Sequence, residues 1–252
     1  MKDGFRQRLR AGEKLIGTMV TVTSAMVAEV LSGIGFDWLF IDGEHGPLET
    51  AELQAIMQAV GDDIACLVRV PALSEIPIKK TLDLGATGII VPQVNTAEEA
   101  ATVVQFSRYA PQGSRGVGLA RANGYGSKFQ EYMASANDDV VVVVQAEHAL
   151  AVENIESIVQ VAGVDAVLIG PYDLSASLGR MGQLDDPVVV EAIEHVTQTC
   201  RAAAMPLGMF GFSADAVRPY VDKGYNLIVV GVDTTLLSAA AGQMLGELRE
   251  RG

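Results

Sequence analysis

Short apolar, β-rich runs recur along the chain near residues 16–22, 38–42, 65–70, 88–93, 140–145, 165–170, 206–210 and 226–231. Each is followed by a stretch with apolar positions at helical spacing, near 24–34, 50–60, 75–84, 97–108, 149–161, 187–203, 214–223 and 234–249. Helix starts are signalled locally. Thr96 with Glu99 forms a capping box, and Ser74 and Ser213 stand where N-caps belong.

Eight strands alternating with eight helices call for a parallel sheet with helices outside it. At 252 residues the expected closure is a (β/α)8 TIM barrel, one catalytic domain over 1–252, and no Pro- or Ser-rich linker divides it. The alternative is an open doubly wound sheet. Its fingerprint is missing, because the first strand, IGTMVTV, runs into Thr23 and Ser24 and not into G-x-G-x-x-G. The segment between strands 4 and 5, residues 94–139, is long. After its helix comes APQGSRGVGLARANGYGSKF, too Gly-rich for a helix and read as an active-site loop.

Charge and composition narrow the partners. A formal net charge of −13 argues against nucleic acid and anionic membrane, which need a basic footprint. No apolar run approaches the roughly 18 residues that span a bilayer. The N-terminal MKDGFRQRLRAGEKLIG is basic without an apolar stretch, so a short helix packed on the domain is expected and not a targeting signal. Cys66 and Cys200 have neither metal nor redox spacing. Both are read as buried thiols of a reducing compartment, which makes a cytoplasmic protein the expectation.

A barrel of this kind does its chemistry where strands end. Strand 2 ends in Asp42, Glu44 and His45, strand 3 at Arg69, strand 4 at Gln93, strand 5 in Gln145 and Glu147, strand 6 by Asp173 and strand 7 at Phe210. Any one of these charges alone could cap a helix or meet solvent; their recurrence on successive strands points to a shared site. Arg69, inside LVRVPAL, needs an anion partner if buried. Glu147 and Asp173 offer hard oxygen ligands and leave room for water and substrate, which suits Mg²⁺ or Mn²⁺, with Co²⁺ as an alternative. The competing possibility is that one of them pairs with Arg69. Asp42 either orients His45 or caps the loop. His148 is expected in the first turn of a helix and His195 on a solvated helix face. After Asp173, LSAS can open a short helix whose first N–H groups, at Tyr172 and Asp173, suit a carboxylate. None of the six lysines, Lys2, Lys14, Lys79, Lys80, Lys128 and Lys223, falls at a strand end. A Schiff base is therefore excluded, and a carbonyl substrate must be activated by metal and arginine.

Taken in order, FIDGEHGPLE, VRVP, LDLGATGIIVPQV, RGVG, VVVQAE, VDAVLIGPYDLSASLG and VGVDTTLL resemble the class II pyruvate aldolases of the 4-hydroxy-2-oxoheptanedioate aldolase type, from about Phe5 to Leu237. Sugar-acid aldolases and macrophomate synthase are similar over the same stretches. The resemblance implies a divalent metal on Glu147 and Asp173, and pyruvate bound there with Gln145 and the backbone at Tyr172 and Asp173. It implies His45 as catalytic base, Arg69 as enolate stabiliser, and Asp83 of TLDLG acting on the histidine across a subunit interface. By its own position, near the C-terminal end of the third helix, Asp83 belongs to the opposite face of its barrel and should not reach its own site. It serves a neighbour, or it is a solvated helix residue. Met19, Phe210, Tyr172 and the shortened GLARANGYG lie where the aldehyde is expected.

The activity so implied is reversible cleavage of a 4-hydroxy-2-oxoacid to pyruvate and an aldehyde, by a homo-oligomer (a hexamer or another dimer-based assembly). Imidazole, with an ordinary pKa of about 6.5, moves protons at neutral pH. Two alternatives stand beside it: a lyase acting on a CoA thioester, which needs a basic groove that this acidic chain does not show, and a non-catalytic barrel that binds a 2-oxoacid.

Overall fold

The computed structural model describes residues 4–249; the ends of the N-terminal and C-terminal segments, including Lys2, lie outside the described residues. Among the described residues, eight parallel strands form a closed barrel in sequence order: β1 (Leu15–Val20), β2 (Trp38–Asp42), β3 (Ala65–Arg69), β4 (Gly88–Val91), β5 (Val141–Ala146), β6 (Ala166–Ile169), β7 (Leu207–Gly211) and β8 (Leu227–Val232). The (β/α)8 barrel is therefore the fold, and an open sheet is excluded. Every strand was legible to within two residues at each end.

Side-chain alternation divides the core in two. Leu15, Trp38, Phe40, Leu67, Ile90, Val143, Leu168 and Val229 fill the barrel interior. Trp38 is the largest of them, and its indole lies where a Cβ on Gly17 of β1 would come within 2.7 Å, so β1 needs a glycine there. The other phase of the strands, including Ile89, Val142, Val144 and Ile169, packs under the helices.

The barrel floor is closed by a helix at Phe5–Arg10, as expected of the N-terminal segment. Arg6 and Arg10 bond one buried oxygen of Asp165 at 2.8 and 2.7 Å, while Arg108 stands 3.5 Å from the other. The rim is tied by Asp233, just past β8, which accepts from the Thr21 N–H, the Thr21 hydroxyl and the Val22 N–H after β1.

Three expectations need correction. The segment Ala110–Phe129 does not line the cavity at the strand ends. It folds as a 3₁₀ stretch, Arg121–Gly126, leading to a helix at Phe129–Asp139 that the sequence did not announce. Arg121 pins this segment to the carbonyls of Leu84 and Met57, at the ends of the helices Glu75–Asp83 and Thr50–Val60. GLARANGYG therefore sits away from its own chain's site. Second, the helix Asp233–Arg249 forms but does not cover the barrel, since only Asp233 in it is buried. Third, His148 is the N-cap of the helix Ala149–Glu153, its Nδ1 accepting from the Leu150 N–H at 3.1 Å, and not a first-turn residue. His195 is exposed as expected, and both cysteines are buried. Ser213 caps through its side chain, whereas Ser74 occupies the N-cap without a side-chain bond.

Candidate active site

The strand phase that fills the barrel also builds the site. On β2 the inward series Trp38, Phe40 continues to Asp42; on β3, Ala65, Leu67 continues to Arg69; on β5, Val141, Val143 continues to Gln145 and then Glu147. Asp42 and Arg69 are direct neighbours in the β2–β3 register. Arg69 donates from Nε and Nη2 to the two oxygens of Asp42 at 2.9 and 2.7 Å, and its Nη1 lies 3.0 Å from Glu44. The Phe40 ring lies 5.3 Å from the guanidinium carbon. The anion partners that burial of Arg69 demands are thus Asp42 and Glu44; neither Glu147 nor Asp173 is in an ion pair with it. Burial would raise the Asp42 carboxyl, but the Arg69 fork and two backbone N–H groups outweigh it and hold the group below the usual carboxylate range.

Asp42 also decides the next turn. Its Oδ1 accepts from the N–H groups of Glu44 and His45 at 3.1 and 3.3 Å. It therefore caps the loop, and it acts on His45 through the backbone, not through the ring. Gly46 closes the turn because a Cβ there would sit 2.4 Å from the Asp42 carbonyl oxygen. His45 is left projecting at the cavity edge, its side chain 69% exposed and its Nε2 3.9 Å from Glu44.

Across the site, Glu147 is buried and bonded on both oxygens. The Gln93 N–H donates to one at 2.8 Å and Gln145 Nε2 to the other. Gln93 holds a left-handed φ of 55° to present that N–H, a conformation that costs a non-glycine residue on the order of 1 kcal/mol. Gly170 sits against the same group: a Cβ there would come within 2.7 Å of Glu147 Oε2 and 2.8 Å of Gln145 Nε2. Asp173 lies in the first turn of the helix Pro171–Ser177, which starts three residues earlier than LSAS suggested.

The charge here is unbalanced. Burial pushes the Glu147 carboxyl up to about 7, and the nearby Asp173 and Glu44 charges add to the rise, against the Gln93 N–H and Arg69. Gln145 Oε1 is buried with no partner. Two neighbouring carboxylates, Glu147 and Asp173, and an unused amide oxygen suit a hard cation that prefers oxygen. Among the described residues no cluster of three or more His, Cys, Asp or Glu could hold a metal ion by itself.

These groups surround one cavity of about 220 Å³. Met19, Asp42, His45, Arg69, Gln145, Tyr172, Asp173 and Phe210 all line it, and Glu147 stands behind Gln145. Asp83 does not line it. Its carboxylate is 2.7 Å from Nη2 of Arg115, whose side chain is fully buried over Tyr109, so it is not a freely solvated helix residue either. Three contributors went unassigned in the sequence: Glu44, Gln93 and Phe212. The first two stood among the polar strand ends. Phe212 lies two residues past Phe210, on the same side-chain phase.

The model for HpcH/HpaI aldolase/citrate lyase proteins matches residues 16–240. This chain belongs to that family. It is 44% identical over 238 residues to a 4-hydroxy-2-oxovalerate aldolase of Rhodococcus jostii (strain RHA1), covering 94% of this chain and 92% of that one. It is 41% identical over 248 residues to a 2-keto-3-deoxy-L-rhamnonate aldolase of Escherichia coli (strain K12), covering 97% and 92%. A crystal structure of an HpcH/HpaI aldolase/citrate lyase family protein from Burkholderia cenocepacia J2315 superposes with a TM-score of 0.95 at 36% identity, over 98% of this chain and 99% of that one. The likeness to these proteins runs nearly end to end of the chain.

Proposed function

We propose that this chain is a divalent-metal-dependent aldolase that reversibly cleaves a 4-hydroxy-2-oxoacid to pyruvate and an aldehyde. The observation that carries this is the pairing, in one cavity, of a preorganised arginine fork with a two-carboxylate pocket. The family and its aldolase relatives support the same activity. No lysine lines the cavity, so a Schiff-base route has no nucleophile.

Glu147 and Asp173 would hold the cation, with Gln145 beside it; Mg²⁺, Mn²⁺ and Co²⁺ all suit that donor set. When bound, the cation supplies Lewis-acid polarisation of the substrate's keto group. The chain's own residues do the rest. Arg69, already oriented by Asp42, donates toward the oxygen on which enolate charge develops, and needs no reorganisation to do so. His45, exposed at the cavity edge, accepts the 4-hydroxyl proton in cleavage and returns it in condensation. First-turn N–H groups at Tyr172 and Asp173 have no partner within their helix and face the substrate carboxylate.

The active form we propose is a homo-oligomer, a hexamer or another dimer-based assembly, in which Asp83 of one chain meets His45 of the next. Asp83 stands outside its own cavity and against Gly118, which lies between the exposed Val117 and Leu119. The helix Asp233–Arg249 exposes Leu237, Met244 and Leu248, an apolar surface of the kind that marks an interface.

The test is pyruvate release from a 4-hydroxy-2-oxoacid with and without a chelator. Activity should vanish with chelator and return with Mg²⁺, Mn²⁺ or Co²⁺, and Glu147→Gln and Asp173→Asn should abolish it. Full turnover by both variants in metal-free buffer would overturn the metal assignment. The same assay separates the CoA-thioester and non-catalytic alternatives, neither of which releases pyruvate from this substrate.

A further inference from the structure

One wall of the cavity is aromatic, and two of its rings are substantially exposed. Phe210 and Phe212 meet edge-to-face, centroids 4.9 Å apart at 77°, and Phe212 meets Tyr172 at 5.7 Å and 66°. Tyr172 is 39% exposed and Phe212 50% exposed. Asp173 adjoins this wall, next to Tyr172, but the buried Asp42–Arg69 pair stands elsewhere. Asp42 and Arg69 come from β2 and β3, and in a closed barrel of this strand order β7 lies across from β3.

The electrostatics of the cavity are equally one-sided. Among the described residues lining it, Arg69 is the one arginine, held by Asp42 and Glu44 and with its remaining N–H capacity serving the pyruvate half, and no lysine lines it. An aldehyde bearing a carboxylate would meet Asp42 and Asp173 on the cavity wall, with Glu44 and Glu147 bonded to the lining residues Arg69 and Gln145, and no further cation to answer it. A polyhydroxylated aldehyde would press its hydroxyls against rings whose sole polar atom is the Tyr172 hydroxyl, leaving them desolvated and unpaired. A flat apolar group would instead complete the existing edge-to-face stack.

We infer that the aldehyde partner is uncharged and apolar, an aromatic aldehyde whose ring lies against Phe212 and Tyr172, and that these two residues set the specificity. The inference rests on the aldolase function proposed above. In the condensation direction the new bond joins pyruvate C3 to the aldehyde carbon, and the proton lost from C3 balances the one gained by the aldehyde oxygen.

The experiment has two arms. The first incubates the Mg²⁺-loaded protein with pyruvate alone in D₂O and follows loss of the methyl proton signal by NMR, which reports the pyruvate half without any aldehyde. The second measures kcat/KM for condensation of pyruvate with benzaldehyde, succinic semialdehyde and glyceraldehyde. Benzaldehyde should exceed the other two by about tenfold or more, the scale of a few aromatic contacts. Phe212→Ala should erase that preference, chiefly through the KM for benzaldehyde, and Phe212→Leu should restore part of it. Methyl exchange without a preference for benzaldehyde overturns this inference and leaves the aldolase function standing. An unchanged preference in Phe212→Ala overturns the role of the aromatic wall. Absence of methyl exchange overturns the aldolase function itself, and this inference with it.

Discussion

Asp42 and Arg69 lie side by side in the β2–β3 register and close a two-point clamp of 2.9 and 2.7 Å, with both side chains almost wholly buried. The clamp fixes the plane of the guanidinium before any substrate arrives. Arg69→Lys keeps the charge but loses the planar fork, so it should lower kcat by about 10²-fold or more, the scale of removing one preorganised oxyanion donor. A loss below about threefold in steady-state kinetics would make Arg69 a structural residue.

The same pair sets an acid limit on stability. The Asp42 carboxyl is held below its ordinary value of 3.8 in the folded chain, so the folded state prefers the ionised form. A depressed acid stabilises above its unfolded pKa, and that contribution is lost as pH falls through the folded value. Asp42→Asn should therefore melt well below wild type at pH 6, by about 3 kcal/mol for a broken buried pair. The difference should shrink as pH falls below 3.8. Thermal melts of both proteins from neutral to strongly acid pH check this. A constant difference would assign the loss to packing.

Gly170 offers a test of the proposed metal pocket that leaves Glu147, Asp173 and Gln145 in place. Its φ of −95° is open to any residue, yet a Cβ would press on Glu147 Oε2 at 2.7 Å and Gln145 Nε2 at 2.8 Å. Gly170→Ala should weaken metal binding by roughly 10- to 100-fold, the usual effect of disturbing groups that orient ligands. Calorimetric titration with Mn²⁺ reads this without an activity assay. Unchanged affinity would mean that Glu147 is not a ligand.

The sequence disclosed most of this site because one rule, alternation along strands, governs both core and rim. Trp38, Phe40 and Asp42 obey it, as do Val141, Val143, Gln145 and Glu147. Gln93 escaped because its contribution is a backbone N–H in a left-handed conformation, which no side-chain pattern encodes. The helix Phe129–Asp139 escaped because the Gly-rich stretch before it masked its start, and only Ala136 in it is buried. The direction of the helix Glu75–Asp83 suffices to put Asp83 away from the cavity at the strand ends, which it does not line. Its partner Arg115, 32 residues away, could be found only in three dimensions.

The helix Asp233–Arg249 should be needed for assembly and dispensable for the barrel. Nothing after Asp233 in it is buried, and Met26, Val30 and Ile34, on and just past the helix Ala25–Ser32, are exposed as well. A chain ending after Thr235 keeps the Asp233 ties to Thr21 and Val22. It should fold cooperatively yet sediment as a smaller species than the full chain. Identical sedimentation of the two would remove this helix from the interface.

Asp83 ends its helix in an ion pair with Arg115 at 2.7 Å, and neither residue lines the cavity that holds His45. Asp83 therefore serves a neighbour's His45 or serves only Arg115. Because the Arg115 side chain is fully buried, Asp83→Ala would strand its charge and confuse instability with inactivity. Asp83→Asn keeps the shape and a hydrogen-bond acceptor. Asp83→Asn and His45→Ala proteins are each prepared, then unfolded and refolded together. In a mixed pair one site carries both substitutions and the other carries neither. Pyruvate release by the mixture should rise well above the sum of the two parents, and the gain should disappear when the parents are mixed without unfolding. If mixed oligomers form, as mass spectrometry of differently tagged chains would reveal, and no activity returns, then Asp83 acts only on Arg115 and each site is complete within one chain.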